Sequence, residues 1–274
     1  MVPRIVFTDV DGTLLDRNHH VRPRTAEVTR ELARRGIPFV LVSARMPEAL
    51  HPVQDDLGIS GPLVCYGGAY VLDEDGGELL SRTIGLARAG EVGRMVASEL
   101  PDVCCSAYGF HVWACSDRSD PRIAHEEQVV HTTAVAATLE AAFDERGVHK
   151  FLLMGRPDQV LAAERLLGAA CPDLTVVRSS DTLCEVMSGG VSKAEGIRRV
   201  CRRYGIALED AVAFGDGCND VGMLAAVPQS YAMANGAPEA RAAAAHVTEL
   251  DNDHDGLATQ LSVLLEGPRK RRGL

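Results

Sequence analysis

The sequence predicts an α/β protein: a parallel sheet covered by helices on both faces, interrupted by an inserted α+β unit. Three observations predict it. Nearly continuous apolar runs alternate with helical segments in the first eighty residues and again towards the end, the pattern of strands buried on both faces. In the middle of the chain this gives way to short strands in close succession with helices around them, the pattern of a separate mixed unit. With 274 residues, 46% of them hydrophobic, the chain can bury one large core or two modest ones.

The elements follow in order. Residues 4–10 read as a buried strand, and 24–35 as a helix entered after Pro23 and stopped by Gly36. IPFVLVS (37–43) is a second strand, PEALHPVQDDLG a short helix interrupted by Pro52, and PLVCY (62–66) a third strand. AYVLDEDGGELLS places two apolar runs around Asp-Gly-Gly, a hairpin signal. AGEVGRMVASEL is helical, and VCCSAY and FHVWAC are strands. A mostly helical stretch follows, then a strand at KFLLMG, a helix at DQVLAAERLLGAA, and strands at LTVVRS and TLCEVM. At VSKAEGIRRVCRRYG the βα alternation resumes, and AVAFGDGCND and SYAMAN each run from strand into loop. The economical organisation is a discontinuous core, residues 1–81 and 186–274, carrying an insert at 82–185.

Composition narrows the function. A formal net charge of -10, from 38 acidic and 28 basic residues, argues against nucleic acid or an anionic membrane surface as the main partner. A small ligand is expected instead, with the protein a monomer or small homo-oligomer. No signal-peptide pattern or span-length apolar run is present, so a cytoplasmic location is expected. Eight cysteines without a C-x-x-C pair read mostly as buried reduced thiols, and the basic ending GPRKRRGL as a solvated terminus.

The chemistry collects where open parallel sheets gather ligands, beyond the carboxyl ends of the strands. Asp9 and Asp11 follow the first strand, Ser43 and Arg45 the second, and Asp216, Asn219 and Asp220 follow AVAF; Lys193 opens the helix that returns to the core. Two carboxylates about 4 Å apart cost roughly 4 kcal/mol at an effective dielectric of about 20. A divalent cation offsets that cost, and a hard-oxygen set of carboxylates suits Mg²⁺. With magnesium bound, Asp9 stays ionised and can act as a nucleophile, and Asp11 can serve as general acid and base. The Ser43 hydroxyl and Lys193 ammonium would hold phosphoryl oxygens as charge shifts.

Taken singly, each feature has an ordinary reading. Asp-x-Asp-Gly makes surface turns, lysines are usually solvated, Ser43 is a loop hydroxyl, and Arg45 is an ion-pair residue or a candidate substrate contact. His19 and His20 read as surface histidines, and Cys218 as a thiol poorly suited to magnesium. Trp113, Tyr108, Phe110 and His111 read as packing within the insert, with a wall facing the substrate as the second reading. It is the four separated clusters together that carry weight.

DVDGTLLD, LVSAR, VSKAEG and GDGCND resemble, in sequence and order, the four motifs of the haloacid dehalogenase-like (HAD) phosphatases. The insert between the second and third motifs, with GDGCNDVGML, YAMANG and LDNDHDGLA, resembles the Cof-type branch. The resemblance implies a Rossmann-like core with an α+β cap, and a phosphatase of small phosphorylated metabolites such as sugar phosphates or phosphorylated cofactors. It implies Asp9 as the phosphoryl-accepting nucleophile, forming an aspartyl-phosphate, and Asp11 as acid and base. It further implies Asp9, the Asp11 carbonyl and Asp216 as Mg²⁺ ligands, Ser43 and Lys193 as phosphate binders, and Asn219 and Asp220 in support of the metal and the lysine. Gly12 and Thr13 would begin a flap, and cap closure would exclude water. Two departures stand out: Ala44 fills the family's glycine position, where a methyl discourages positive φ, and Gly67-Gly68-Ala69 replaces Asn-Gly-Ala. The alternatives are a phosphomutase using the same phosphoenzyme, a phosphorylation-switched receiver, and a non-catalytic binding protein; the inserted unit and the nucleophile on strand one weigh against a receiver.

Overall fold

The computed structural model describes residues 2–266; the basic ending at 267–274 lies outside them. The strands are β1 (Ile5–Thr8), β2 (Phe39–Val42), β3 (Leu63–Cys65), β4 (Tyr70–Leu72), β5 (Glu78–Ser81), β6 (Cys104–Gly109), β7 (Val112–Cys115), β8 (Val135–Ala136), β9 (Lys150–Met154), β10 (Leu174–Arg178), β11 (Leu183–Ser188), β12 (Ala211–Gly215), β13 (Gln229–Ala232) and β14 (His246–Val247). The helices are α1 (Pro23–Arg34), α2 (Pro47–Leu57), α3 (Leu86–Glu99), α4 (Pro121–Val130), α5 (Leu139–Ala142), α6 (Pro157–Ala170), α7 (Lys193–Tyr204), α8 (Val221–Ala226), α9 (Pro238–Ala243) and α10 (Gly256–Glu266).

Eight strands form one sheet in the order β14-β13-β12-β1-β2-β3-β4-β5. It is parallel from β14 through β3, and the β4–β5 hairpin adds an antiparallel edge. Every residue of β1 is buried, and its two faces serve different clusters. Val6 packs with Leu32, Leu41 and Leu50, while Ile5 and Phe7 pack with Val40, Ile197 and Val200. This two-sided burial is why the strand reads as a continuous apolar run; each such side chain contributes about 1.5–3 kcal/mol. The chain leaves β1 towards β2 on one side and later returns to β12 on the other. The crevice at this switch point opens above Asp9 and Asp216.

The second sheet has the order β10-β11-β9-β6-β7-β8 and is antiparallel except for the β7–β8 pair. Ala107, Phe151 and Leu153 on one face pack with Val92, Val96 and Val160 of α3 and α6. Tyr108, Trp113 and Leu152 on the other face belong to the same apolar cluster as Val6 and Leu50. The inserted sheet therefore seats its free face on the core, directly over the crevice.

Two expectations change. Pro52 does not interrupt α2, because Ala49, Leu50, Val53 and Leu57 are buried along one side while Pro52 points to solvent, and that packing outweighs one lost backbone bond. The boundary expected at 185/186 falls inside β11, whose residues pair with β9 and β10 through Met187 and Ser188; the return to the first sheet comes after Ser188.

A polar and aromatic cluster joins the two units. Tyr66 Oη donates to the Phe110 carbonyl at 2.9 Å. The Phe110 amide donates to His149 Nδ1 at 3.0 Å, which leaves Nε2 to carry the ring proton and donate to Ser81 Oγ at 2.9 Å. The imidazole is stacked on Tyr66 with centroids 5.3 Å apart, and it packs 4.6 Å from both Tyr70 and Phe110. Burial, with Arg146 and His111 adding to it, pushes His149 down to about 3. Nearby, His111 reaches Glu48 of α2 at 2.5 Å.

Candidate active site

β1 and β12 end side by side, with Thr8 opposite Phe214 and the Asp9 amide bonded to the Phe214 carbonyl at 2.9 Å. This pairing delivers Asp9 and Asp216 to the same edge. The chain then turns back at Gly12, at φ +81°, where a Cβ would come within 2.9 Å of Asp216 Cγ and nearer still to its oxygen. Only glycine permits that approach. Thr13 Oγ1 donates to Asp216 Oδ1 at 2.7 Å, tying this turn to the β12 loop.

Lys193 begins α7, whose first turn is capped by Ser192 accepting from the Glu195 amide. Its ammonium is 2% exposed, pairs with Asp9 Oδ1, and donates to Asp220 Oδ1 at 2.6 Å. Asp220 Oδ2 accepts the amides of Asp216 and Gly217 at 2.9 and 2.8 Å, so both its oxygens are engaged. Asp9 Oδ2 and Asp216 Oδ2 have no donor among the described residues. Asn219 lines the cavity but makes no hydrogen bond to Lys193; support for the lysine comes from Asp9 and Asp220.

Charge crowds this edge. Burial, then the charges of Asp220 and Asp216, raise Asp9 well above the ordinary carboxylate range despite Lys193. Burial and Asp220 likewise push Asp216 up to about 6. Asp9, Asp216 and Asp220 offer oxygens within 4.8 Å of one another, a hard-donor set suited to a small divalent cation. A cation between Asp9 and Asp216 meets the two oxygens without donors and offsets the repulsion, so these residues fit magnesium.

Asp11 behaves differently. Its more exposed carboxylate is crowded enough to oppose ionisation, yet His19 and Arg45 hold it down to about 2. Arg45 donates to both oxygens, and His19 Nδ1 lies 3.2 Å from Oδ1, which in turn raises His19. The Arg45 guanidinium, read from the sequence as an ion-pair residue or a substrate contact, is engaged by Asp11, and His19, exposed as a surface histidine, also reaches the site. Ser43 Oγ accepts the Arg45 amide at 3.1 Å and keeps its own proton to donate. Ala44 is not among the residues of positive φ, so its methyl imposes no strain on this loop.

These residues border a cavity of about 230 Å³ closed from above by the insert. Tyr108, Lys150 and Glu185 come from its sheet, Glu126 and Val130 from α4, and Ser179 and Ser180 from the β10–β11 turn. Sequence reasoning singled out only Tyr108 among them, first as packing and second as a wall facing the substrate; it packs on Trp113, with centroids 5.2 Å apart, and borders the cavity. At Gly67, φ +64°, a Cβ would lie 3.1 Å from Met187 Sδ and 4.0 Å from Glu185 Oε2, so the family's asparagine position faces this same seam. Cys218 is exposed and all eight cysteines are free thiols.

A capped parallel sheet thus gathers paired carboxylates, a buried lysine and a hydroxyl at its switch point. A family profile for haloacid dehalogenase-like hydrolases matches residues 6–261, and the chain belongs to that family, in its Cof-type branch, as a phosphatase. A Haemophilus influenzae relative is 31% identical over 261 residues, covering 94% of this chain and 97% of the relative. The Escherichia coli pyridoxal phosphate phosphatase YbhA is 27% identical, covering 94% and 97%. Among solved structures, a haloacid dehalogenase-like hydrolase from Bacteroides thetaiotaomicron superposes with a TM-score of 0.84 at 21% identity, covering 95% and 98%. The HAD subclass IIB sugar phosphatase BT4131 superposes with a TM-score of 0.80 at 22% identity, covering 94% and 98%. No described helix is long and apolar enough to cross a membrane.

Proposed function

We propose that the protein is a Mg²⁺-dependent phosphomonoester hydrolase of small phosphorylated metabolites, working through an aspartyl-phosphate on Asp9. The observation that carries this reading is the pairing of Asp9, buried and lysine-bound, with Asp11, open to the cavity two residues away. Asp9, Asp216 and the Asp11 carbonyl would hold the metal. Bound magnesium supplies positive charge that keeps Asp9 ionised and neutralises phosphoryl oxygens.

Asp9 attacks phosphorus, the bond to the leaving oxygen breaks, and Asp11 gives that oxygen a proton. Asp11 then takes a proton from water as the water oxygen attacks phosphorus, releasing phosphate and restoring the Asp9 carboxylate. Lys193 and the Ser43 hydroxyl hold phosphoryl oxygens, while Asp220 keeps Lys193 charged and in place. An incoming phosphate competes for Arg45 and places negative charge beside Asp11. Both effects raise Asp11 from its low resting value towards one at which it can carry the proton.

The substrate is compact. A cavity of about 230 Å³ lies below the roughly 300–1,000 Å³ of pockets for drug-sized ligands. Its mix of Glu126, Ser179 and Ser180 with Val129, Val130 and Leu183 suits a leaving group with hydroxyls on a small apolar frame, such as a sugar or a small phosphorylated cofactor. The names of YbhA and BT4131 support that class. Free thiols fit a reducing, cytoplasmic setting. The test is phosphate release from a panel of such phosphomonoesters, with and without Mg²⁺, by wild type and Asp9→Asn. Release requiring both metal and Asp9 is expected; release insensitive to either overturns the reading, and phosphoryl transfer only to a second sugar phosphate points to a mutase.

A further inference from the structure

Of the three buried cations among the described residues, Arg45, Lys150 and Lys193, only Lys150 comes from the insert. It opens β9, is 4% exposed, and has Glu185 Oε1 at 3.8 Å and the Tyr108 ring 4.9 Å from its ammonium. A buried ammonium needs such partners. Its one close hydrogen bond crosses to the core: Nζ donates to the Ala44 carbonyl at 2.7 Å.

That carbonyl occupies a telling place. The segment Ser43-Ala44-Arg45 is otherwise tied to the core, through Ser43 N to Val64 O at 2.8 Å, Gly67 N to Ser43 O at 2.9 Å, and Tyr66 N to Arg45 O at 3.1 Å. The Ala44 carbonyl and the Arg45 amide belong to one rigid peptide plane and point in opposite directions. Holding the carbonyl therefore aims the Arg45 N–H, which donates to Ser43 Oγ at 3.1 Å. With that lone pair occupied, the Ser43 proton is left to point at a phosphoryl oxygen. The same plane sets where the Arg45 side chain departs towards Asp11.

We propose that Lys150 is a positioning residue by which the seated cap orders the Ser43–Arg45 loop, so that the phosphate site is complete only when the insert lies on the core. Glu185 steers the ammonium onto the carbonyl. Lys150 acts on the loop and not on the leaving group, so its effect is the same for every substrate. This inference rests on the phosphatase reading, and its test separates the two.

The variants are Lys150→Met, which keeps the stem and loses the donor, and Lys150→Arg, which restores one. Turnover is measured with p-nitrophenyl phosphate, acetyl phosphate and a hexose phosphate, inhibition with inorganic phosphate, and hydrogen exchange at the Arg45 amide without substrate. Lys150→Met is expected to lose about 10- to 100-fold in kcat/KM equally on all three substrates. Phosphate inhibition weakens, the Arg45 amide exchanges faster, and Lys150→Arg recovers part of each. A loss that differs between leaving groups by more than tenfold makes Lys150 a substrate reader and overturns the proposal, as does unchanged exchange at Arg45. Wild type that releases no phosphate from any substrate overturns the phosphatase reading, while exchange at Arg45 still decides what Lys150 orders. If Lys150→Met does not fold, Lys150→Gln takes its place: its amide stops one bond short of where the lysine ammonium meets the Ala44 carbonyl, so the same uniform loss is expected.

Discussion

Arg45 grips both oxygens of the Asp11 carboxylate, Nε to Oδ2 at 2.9 Å and Nη2 to Oδ1 at 2.5 Å. The residue proposed to move protons is therefore held as an anion at rest by His19 and by this fork from the neighbouring loop. Removing the fork takes away a partner of the charged form, so the direction of the change is upward. In metal-free Arg45→Met, Asp11 is expected to titrate above the value of about 2 that Arg45 and His19 impose. Arg45→Lys, with one prong, falls between. Carbon-13 NMR of the aspartate carboxyls, assigned by difference from Asp11→Asn, checks this; an Asp11 titrating unchanged in Arg45→Met rules out the clamp.

Much of this edge was legible in the sequence. The strand that ends at Asp9 must be buried on both faces, and parallel topology then carries Asp9, Ser43 and Asp216 to one end of the sheet. Residues whose role depends on the placement of the insert were not legible. Lys150 and Glu185 look like ordinary strand residues until β9 and β11 pair and turn one face to the core. His19 became a partner of Asp11 only through a turn with φ +60° that no local pattern announced. Pro52 misled because helix propensity is local, whereas the burial that holds α2 together comes from contacts across the core.

Gly12 tests the metal assignment without replacing a carboxylate. Alanine there pays about 1–2 kcal/mol for the left-handed backbone and drives its methyl into Asp216. With Asp216 displaced, the Mg²⁺ concentration for half-maximal phosphate release should rise about tenfold or more. Gly36, also at positive φ but with open space around its Cβ position, is the control: Gly36→Ala carries the same backbone strain and should leave the metal titration unchanged. Matching titrations for the two variants count against Asp216 as a ligand.

Asp9→Asn should separate function from stability. Asp9 is held above the ordinary carboxylate range, so its charge is disfavoured in the folded, metal-free protein. A neutral amide of the same shape removes that repulsion, while Lys193 keeps Asp220 as a partner. Without magnesium the variant should unfold at a higher temperature than wild type. Added Mg²⁺ should bind native wild type and raise its midpoint, so the difference should narrow or reverse. Turnover should fall at least about a thousandfold. A metal-free Asp9→Asn that is less stable than wild type contradicts the account of crowded charge.

His149 sets a limit on how firmly the insert is held at low pH. The folded protein keeps this ring neutral down to about 3, whereas the unfolded chain takes up its proton near 6.5. Between those values the unfolded state binds more protons, so this residue's contribution is intact above about pH 6.5 and is lost as pH falls. The slope is at most about 1.4 kcal/mol per pH unit. His149→Phe keeps the stacking on Tyr66 and Tyr70 but leaves the Phe110 amide without its acceptor, costing about 1–3 kcal/mol at pH 8. The variant has no proton to take up, so the gap between it and wild type should close as the buffer is taken from pH 6.5 towards 4. Arg146, whose guanidinium stands 4.0 Å over Phe110, and His111 face the same cluster, and both oppose a charged ring. Raised carboxylates such as Asp216 act in the opposite direction but are common to both proteins, so they cancel in the difference. Urea unfolding across this range provides the measurement, and a gap that stays constant with pH excludes a neutral, buried His149 as the joint between the two units.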